Sequence, residues 1–389
     1  MNTRKRFNLW GPTSLAVLLA ASLTGPAHAQ PSSEQDDKPT SLSEELSQEA
    51  VEEATEEVAE ATASAEDAAE KRELPRGHFH LPESGDIIGE HYTVVVDNPK
   101  DTLIDIARRH NIGYEEMRMA NPGVSLWVPG EGTEVVIPAR YILPPAAREG
   151  VVVNLSELRL YYYPADNPGI VETYPVSVGR EEFATPIGIT RTTVKVKDPA
   201  WAPPASMRRE AAARGEPAPS IVPPGPNNPL GRHAILLAMP SYLIHGTNRP
   251  EGVGMRVSRG CIRMYPEDIE SLYERLPSGT KVNLMDAPFK AGWGADGTLF
   301  VQSYPQLEEN VGDFEPLLNA IERVSELAAD QVEVDYAQVK LAVENPDGRL
   351  VALYGPQAPA PTPEEEPLQL DGLFEEIELS TSTHTEKDA

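Results

Sequence analysis

Cys261 is the only cysteine among 389 residues, and it stands in the run RVSRGCIRMY, residues 256 to 265. His245 lies 16 residues before it, at the end of the strand-like run SYLIHG, and a glycine-rich loop able to fold back joins the two. A thiol, an imidazole to take its proton and backbone N–H groups for an oxyanion are what cysteine proteolysis and acyl transfer need. An isolated thiol, with a pKa near ~8.5, is only a few per cent ionised at neutral pH, so Arg256, Arg259 and Arg263 would each favour the thiolate if close. Gly260 lets a substrate approach the backbone with no Cβ in the way. Taken singly, His245 could be a satisfied strand-end histidine and Cys261 a small buried hydrophobe. Both bland readings weaken when the two residues share one loop. The arginines could equally be solvated, or paired with Glu251 and Glu267.

What a lone thiol means depends on its compartment. The chain opens MNTRKRFNLWGPTSLAVLLAASLTGPAHAQ, with Arg4, Lys5 and Arg6 as a charged n-region, Ser14 to Leu23 as an apolar core and Ala27-His28-Ala29 as a cleavage site. Residues 1–29 are therefore expected to be a secretory signal peptide. An uncleaved anchor is disfavoured because the apolar run is about half of the ~20 residues that span a bilayer. No cysteine follows the apolar core, which argues against a lipid-modified amino terminus. No later segment reads as a membrane span, so the mature protein is expected to be soluble outside the cytoplasm, in the periplasm.

The net charge of −28 is concentrated at the two ends. Residues 30–76 hold 15 acids and four bases, a net of −11, in an Ala/Glu-rich run with few large apolar residues. Such a run cannot bury a core and reads as an acidic spacer. Residues 355–389, Pro-rich and then acidic, read as a disordered tail. What lies between suits two or three small domains. The acidity argues against nucleic acid as a partner.

The catalytic pair needs elements to hold it. From Gly150 the pattern is β: VVVNL and LRLYYYP as a hairpin with a two-residue turn at Ser156-Glu157, then VETYPVSVG and GITRTTVKV. Asp198 to Gly231 is too rich in proline for a central strand and is expected to be a long loop over the sheet. HAILLAM and SYLIHG resume the strands, PEDIESLYERL forms one clear helix with Pro266 in its first turn, and KVNLM closes the domain. The plan predicts a mainly β fold, a sandwich or barrel-like domain. Ahead of it, HYTVVV, DTLIDIARRH, YEEMRMAN and EVVIP read as strand, helix, helix and strand, with Asp101 placed to cap the first helix.

Two resemblances follow. Asp101-Thr102-Leu103, Ile106-Ala107, Ala120-Asn121-Pro122 and Val136-Ile137-Pro138 make residues 91–138 similar to a LysM module, which implies binding to N-acetylglucosamine-containing glycans. Lys100 replaces the usual glycine before Asp-Thr-Leu, and a packing domain without sugar binding is the alternative. The span from His245 to Cys261, with Ser258, Gly260 and Arg263, resembles the signature of the L,D-transpeptidases with a YkuD-type catalytic domain, here residues 149–287. Thr185-Pro186-Ile187-Gly188, Gly225 to Gly231 and Leu160 to Pro164 add to the likeness. It is greatest to the periplasmic ErfK/YbiS-like subgroup that handles meso-diaminopimelate peptidoglycan. Arg259 departs from the pattern, since many members carry a second histidine there, and it leaves His245 as the base.

The resemblance implies that Cys261 attacks the third residue of a tetrapeptide stem, releases the terminal D-alanine and forms a thioester. An amine then resolves it, either a lysine ending an outer-membrane lipoprotein or another stem in a 3→3 cross-link; water would make the enzyme an L,D-carboxypeptidase. His245 and Cys261 would be catalytic, and Ser258, Gly260 and Arg263 would bind substrate. No metal or cofactor is called for. A secreted cysteine peptidase and a non-catalytic cell-wall anchor are the other readings. Residues 288–354 contain the strand-like GTLFVQSYP, the helix-like PLLNAIERVSELAA and a closing KLAVENPDGRLVALYG, and suggest only a cap on the sheet or a docking surface.

Overall fold

The computed structural model describes residues 74–307, 315–329 and 332–354. The expected signal peptide, all but the end of the spacer, and the acidic tail lie outside these residues. The described chain begins with two short strands, β1 (His78–His80) and β2 (Ile87–Gly89). Then β3 (Tyr92–Val95), α1 (Leu103–Arg109), α2 (Tyr114–Ala120) and β4 (Glu134–Ile137) follow in the order that the apolar periodicity predicts. β3 and β4 run antiparallel from Tyr92↔Ile137 to Val95↔Glu134. Leu103, Ile106 and Ala107 share one core with Ile112, Met117, Val135 and Ile137. The cap of α1 is Thr102, not Asp101. Its hydroxyl accepts from the Asp105 N–H at 3.1 Å, and the Asp105 carboxylate accepts from the Thr102 N–H at 3.0 Å, which closes a capping box. Asp101 lies one residue too early and pairs instead with Asn98 and Arg109. β5 (Arg140–Ile142) returns to pair with β2.

The catalytic region is built on β6 (Gly150–Asn154), β7 (Arg159–Tyr163), β8 (Ile170–Pro175), β9 (Val178–Gly179) and β10 (Gly188–Lys197). It continues with α3 (Ala205–Ala213), β11 (His233–Leu237), β12 (Leu243–His245), β13 (Arg256–Ser258), β14 (Ile262–Arg263), α4 (Pro266–Arg275) and β15 (Lys281–Met285). Nine strands form one sheet in the order β1-β8-β7-β6-β15-β10-β11-β12-β14, while β9 and β13 make a separate parallel ribbon. The fold is mainly β. Side chains alternate between the faces of a strand, and here both faces are covered. Val151, Val153, Leu160 and Tyr162 join Ile269 and Leu272 of α4, and Leu276 just after it, in one core. Val152, Tyr161 and Tyr163 meet Ile88 and Tyr141 on the other face. That double burial explains why LRLYYY carries so few polar residues.

Two expectations change. The β6–β7 turn holds four residues, because Asn154 pairs with Arg159 and Leu158 takes a φ of 59°. The closing strand KVNLM, β15, lies parallel to β6 in mid-sheet. The proline-rich stretch is not all loop, since ASMRREAAA forms α3. Four alanines and charged straight-chain residues there favour helix, and Pro204 just precedes its first turn. The catalytic region thus has a second helix beside α4.

The extension forms β16 (Phe289–Trp293), β17 (Leu299–Ser303), α5 (Glu315–Ala328), α6 (Tyr336–Glu344) and β18 (Leu350–Tyr354). The three strands pair antiparallel, and Leu299, Val301, Ala320, Val324, Val339 and Leu353 form a core of their own. Lys290 ties this unit to the catalytic sheet. Its Nζ donates to Glu157 at 2.7 Å and to the Ile142 carbonyl at 2.6 Å, and the Lys290 and Glu157 side chains are both 0% exposed. Tyr161 and Tyr304 donate to the same Glu157 carboxylate at 2.6 and 3.2 Å. Among the described residues no helix is long and apolar enough to cross a membrane.

Candidate active site

β12 and β14 run parallel in the register Ile244↔Ile262 and His245↔Arg263. Ile244 and Ile262 point into the main core. By alternation Leu243, His245, Cys261 and Arg263 face the other way, and all four line one cleft of about 630 Å³. A strand spacing of ~4.8 Å and a rise of ~3.3 Å per residue put the Cα atoms of His245 and Cys261 about 8 Å apart, within reach of the two side chains.

His245 is buried, and its Nδ1 lies 2.6 Å from the Gly246 carbonyl. A carbonyl only accepts, so Nδ1 carries the proton and Nε2 holds the lone pair. Burial, followed by the charge of Arg263, pushes His245 down to about 4 against the opposing pull of the Gly246 and Leu230 backbone. The ring is therefore neutral at neutral pH, the form a base must have. Burial pushes the Cys261 thiol up, while a Leu243 backbone hydrogen bond and Arg263 pull it down. The net direction is upward, against the expectation that the arginines would create a resting thiolate. The Cys261 Sγ rests 3.5 Å from the Ser241 carbonyl.

The turn that presents the thiol is held from within. Ser258 Oγ donates to the Cys261 carbonyl at 2.6 Å and accepts from the Gly260 N–H at 3.1 Å. The Ser258 hydroxyl and the Gly260 N–H thus hold the turn together. Thr185 Oγ1 donates to the Gly260 carbonyl at 3.0 Å and accepts from the Gly179 N–H at 2.9 Å. Gly260 has a φ of +98°, and a Cβ there would sit 2.7 Å from the Tyr242 ring. Only glycine fits this backbone.

The arginines divide. Arg259 pairs with Glu210 of α3, and its guanidinium lies 4.2 Å from the Phe183 ring centroid. Arg256 Nε donates to the Gly179 carbonyl at 3.2 Å. Arg263 stays beside the thiol; its Nε is buried without a hydrogen-bond partner, and Glu251 acts on it electrostatically. Glu267 does not serve any of these three but pairs with Arg108 of α1. Glu210, Trp201 and Met207 were not foreseen as site residues: the first holds Arg259 and the other two line the cleft from the α3 side. The helix-forming run MRREAAA was the available signal. Among the described residues no group of three or more His, Cys, Asp or Glu side chains is placed to hold a metal ion.

The loop between His245 and Cys261 is also pinned from outside. The N–H groups of Tyr114 and Glu115, at the start of α2, donate to the carbonyls of Val253 and Gly254 at 2.9 and 3.2 Å. Gly113 and Gly254 touch there, since a Cβ on Gly254 would lie 2.4 Å from the Gly113 Cα.

Residues 148–284 match the YkuD family, described as "L,D-transpeptidase catalytic domain". The chain is 40% identical over 243 residues to "Probable L,D-transpeptidase YcfS" of Escherichia coli K12, covering 61% of this chain and 76% of that one. It is 35% identical over 285 residues to "Probable L,D-transpeptidase YbiS" of the same strain, covering 71% and 91%. A solved L,D-transpeptidase from Mycobacterium smegmatis matches at 16% identity with a TM-score of 0.29, over 40% of this chain and 64% of that one, a likeness too slight to carry an argument.

Proposed function

The chain belongs to the L,D-transpeptidase family with a YkuD-type catalytic domain, an enzyme family acting on peptidoglycan, and from that premise we propose that Cys261 is its nucleophile and His245 its general base. The observation that carries this is the parallel register of β12 and β14, which sets both side chains on one face of one cleft.

The thiol gives its proton to His245 Nε2 as Sγ attacks the carbonyl of the third stem residue, so charge appears only as the bond forms. The oxyanion is held by the Cys261 N–H, because Ser258 already takes that of Gly260. Arg263, whose buried Nε has no hydrogen-bond partner among the described residues, stabilises the same negative charge. Imidazolium then protonates the leaving D-alanine amine, and a thioester remains. The acceptor amine surrenders its proton to the regenerated His245 and attacks the thioester, which frees the thiol. Ser258 and Gly260 shape the turn that presents Cys261.

The finer assignments are proposals on the same footing. Residues 91–138 bind glycan as a LysM module, and the enzyme works in the periplasm after loss of residues 1–29. The acceptor is a lysine ending an outer-membrane lipoprotein, with a second stem as the close competitor. The α3 side of the cleft, with Trp201 and Met207, favours the slimmer chain end. Mass spectrometry of the intact protein with a tetrapeptide stem tests the core of this reading. An acyl adduct on Cys261 with matching D-alanine release is expected; turnover with no adduct on Cys261 would sink it. Adding a lysine-ending peptide then shows which acceptor is used.

A further inference from the structure

Two grooves adjoin beside α2. One, of about 520 Å³, runs between α2 and the segment after it (Arg118, Met119, Leu126) and the extension (Pro305, Pro346, Asp347). The other, of about 310 Å³, shares Arg118, Met119 and Pro305 with the first and passes Gln306 to reach Met255 and Arg256. Arg256 opens β13, and the next two residues of that strand, Val257 and Ser258, line the cleft that holds Cys261. One strand of three residues therefore separates the end of the groove from the reaction centre.

We propose that this groove seats the glycan strand whose stem peptide enters the cleft, and that the extension supplies one of its two walls. The inference rests on the peptidoglycan reading above and assigns a role to residues 288–354. Sugar rings present apolar faces and hydroxyl rims, and the groove matches them with Met119, Leu126, Pro305 and Pro346 set among Arg118, Gln306 and Asp347. The groove ends at Arg256, the first residue of the three-residue strand whose other two residues line the catalytic cleft. Its walls keep a fixed spacing. The backbone bonds from Tyr114 and Glu115 fix α2 against the catalytic loop, and the buried Lys290–Glu157 pair fixes the extension against the β6–β7 turn.

The test compares one tetrapeptide in two forms, free and attached to a disaccharide or longer glycan, using the full-length protein. Gln306→Ala combined with Asp347→Ala alters only the extension wall. We expect KM for the glycan-linked stem to rise by about tenfold, as for two lost polar contacts, with the free stem changed by less than about twofold. Sedimentation with glycan strands stripped of their peptides should weaken in parallel. Equal changes for both stems, or no change for either, overturns the proposal. So does loss on Arg118→Ala with none on the extension variants, which would confine the site to residues 91–138. If the wild type turns over neither stem, the transpeptidase reading fails by itself, and binding of the peptide-free glycan still decides the groove.

Discussion

Arg159 on β7 and Glu116 on α2 form a buried ion pair through two hydrogen bonds, Nε to Oε1 at 2.9 Å and Nη2 to Oε2 at 2.8 Å. Arg159 is 0% exposed and also donates to the Asn111 carbonyl at 3.0 Å. Burial works against its charge, and Glu116 outweighs that, so the net shift is upward. The strand–helix–helix–strand unit is therefore part of the catalytic body, not a bead on a linker. Deleting residues 77–140 would strand a buried guanidinium and strip β1 from the sheet edge.

Glu116→Ala should accordingly destabilise the whole body by about 3–5 kcal/mol, because it leaves the Arg159 charge buried and unpaired. The double variant Glu116→Leu with Arg159→Met should recover most of that loss. Thermal melts of the three proteins check it; a Glu116→Ala melt equal to wild type would contradict the pairing.

The same reasoning applies to the extension. Lys290→Met leaves Glu157 with no cation in a fully buried site, and a loss of about 3–5 kcal/mol is expected. Chemical denaturation followed through the tryptophans measures it.

Cys261→Ala should remove D-alanine release while the melting temperature stays within about 2 °C of wild type, since the change is small and apolar at a turn. Residual release near the wild-type rate would exclude Cys261 as nucleophile.

The pH profile carries a sign. His245 is pushed down to about 4, so activity should fall on the acid side only as pH approaches about 4, where the base becomes protonated. Arg263 contributes to that depression and also pulls the thiol down. Arg263→Gln should therefore move the acid limb to higher pH and the ionisation of the thiol to higher pH as well. An acid limb near 6.5 in the wild type, or no displacement in the variant, would refute the assigned geometry.

Arg259→His replaces a residue that both pairs with Glu210 and covers Phe183. Because that pair is only partly buried, KM should rise by well under about tenfold with kcat little changed. Glu210→Ala should do the same, and the double variant no more, as a mutant cycle would show.

How much of this was legible depends on how local each signal is. The βααβ unit, α4 with Pro266 at its start, and the His245–Cys261 spacing all rest on short-range periodicity or spacing, and the structure carries each. The buried turn at Ser156-Glu157 reads as an exposed hairpin tip, because the cation that makes burial tolerable, Lys290, lies 133 residues further on. Glu116 looks like one more acid on a helix surface until Arg159 meets it. α3 was hidden by the prolines on either side of it, although its own residues favour helix. The thiol's upward shift was also beyond reach, since composition shows the nearby arginines but not the burial that outweighs them.

The contact between Gly113 and Gly254 has no side chain in it, and the hydrogen bonds beside it run from backbone to backbone. Ordinary substitutions at neighbouring positions therefore leave this support of the catalytic loop in place. The same feature limits recombination. A foreign carbohydrate-binding module spliced ahead of Gly150 would have to bring both a bare helix start and a matching pair of N–H donors. The front unit and the catalytic region thus form one piece, and engineering that treats them as exchangeable cassettes will lose the loop along with the module.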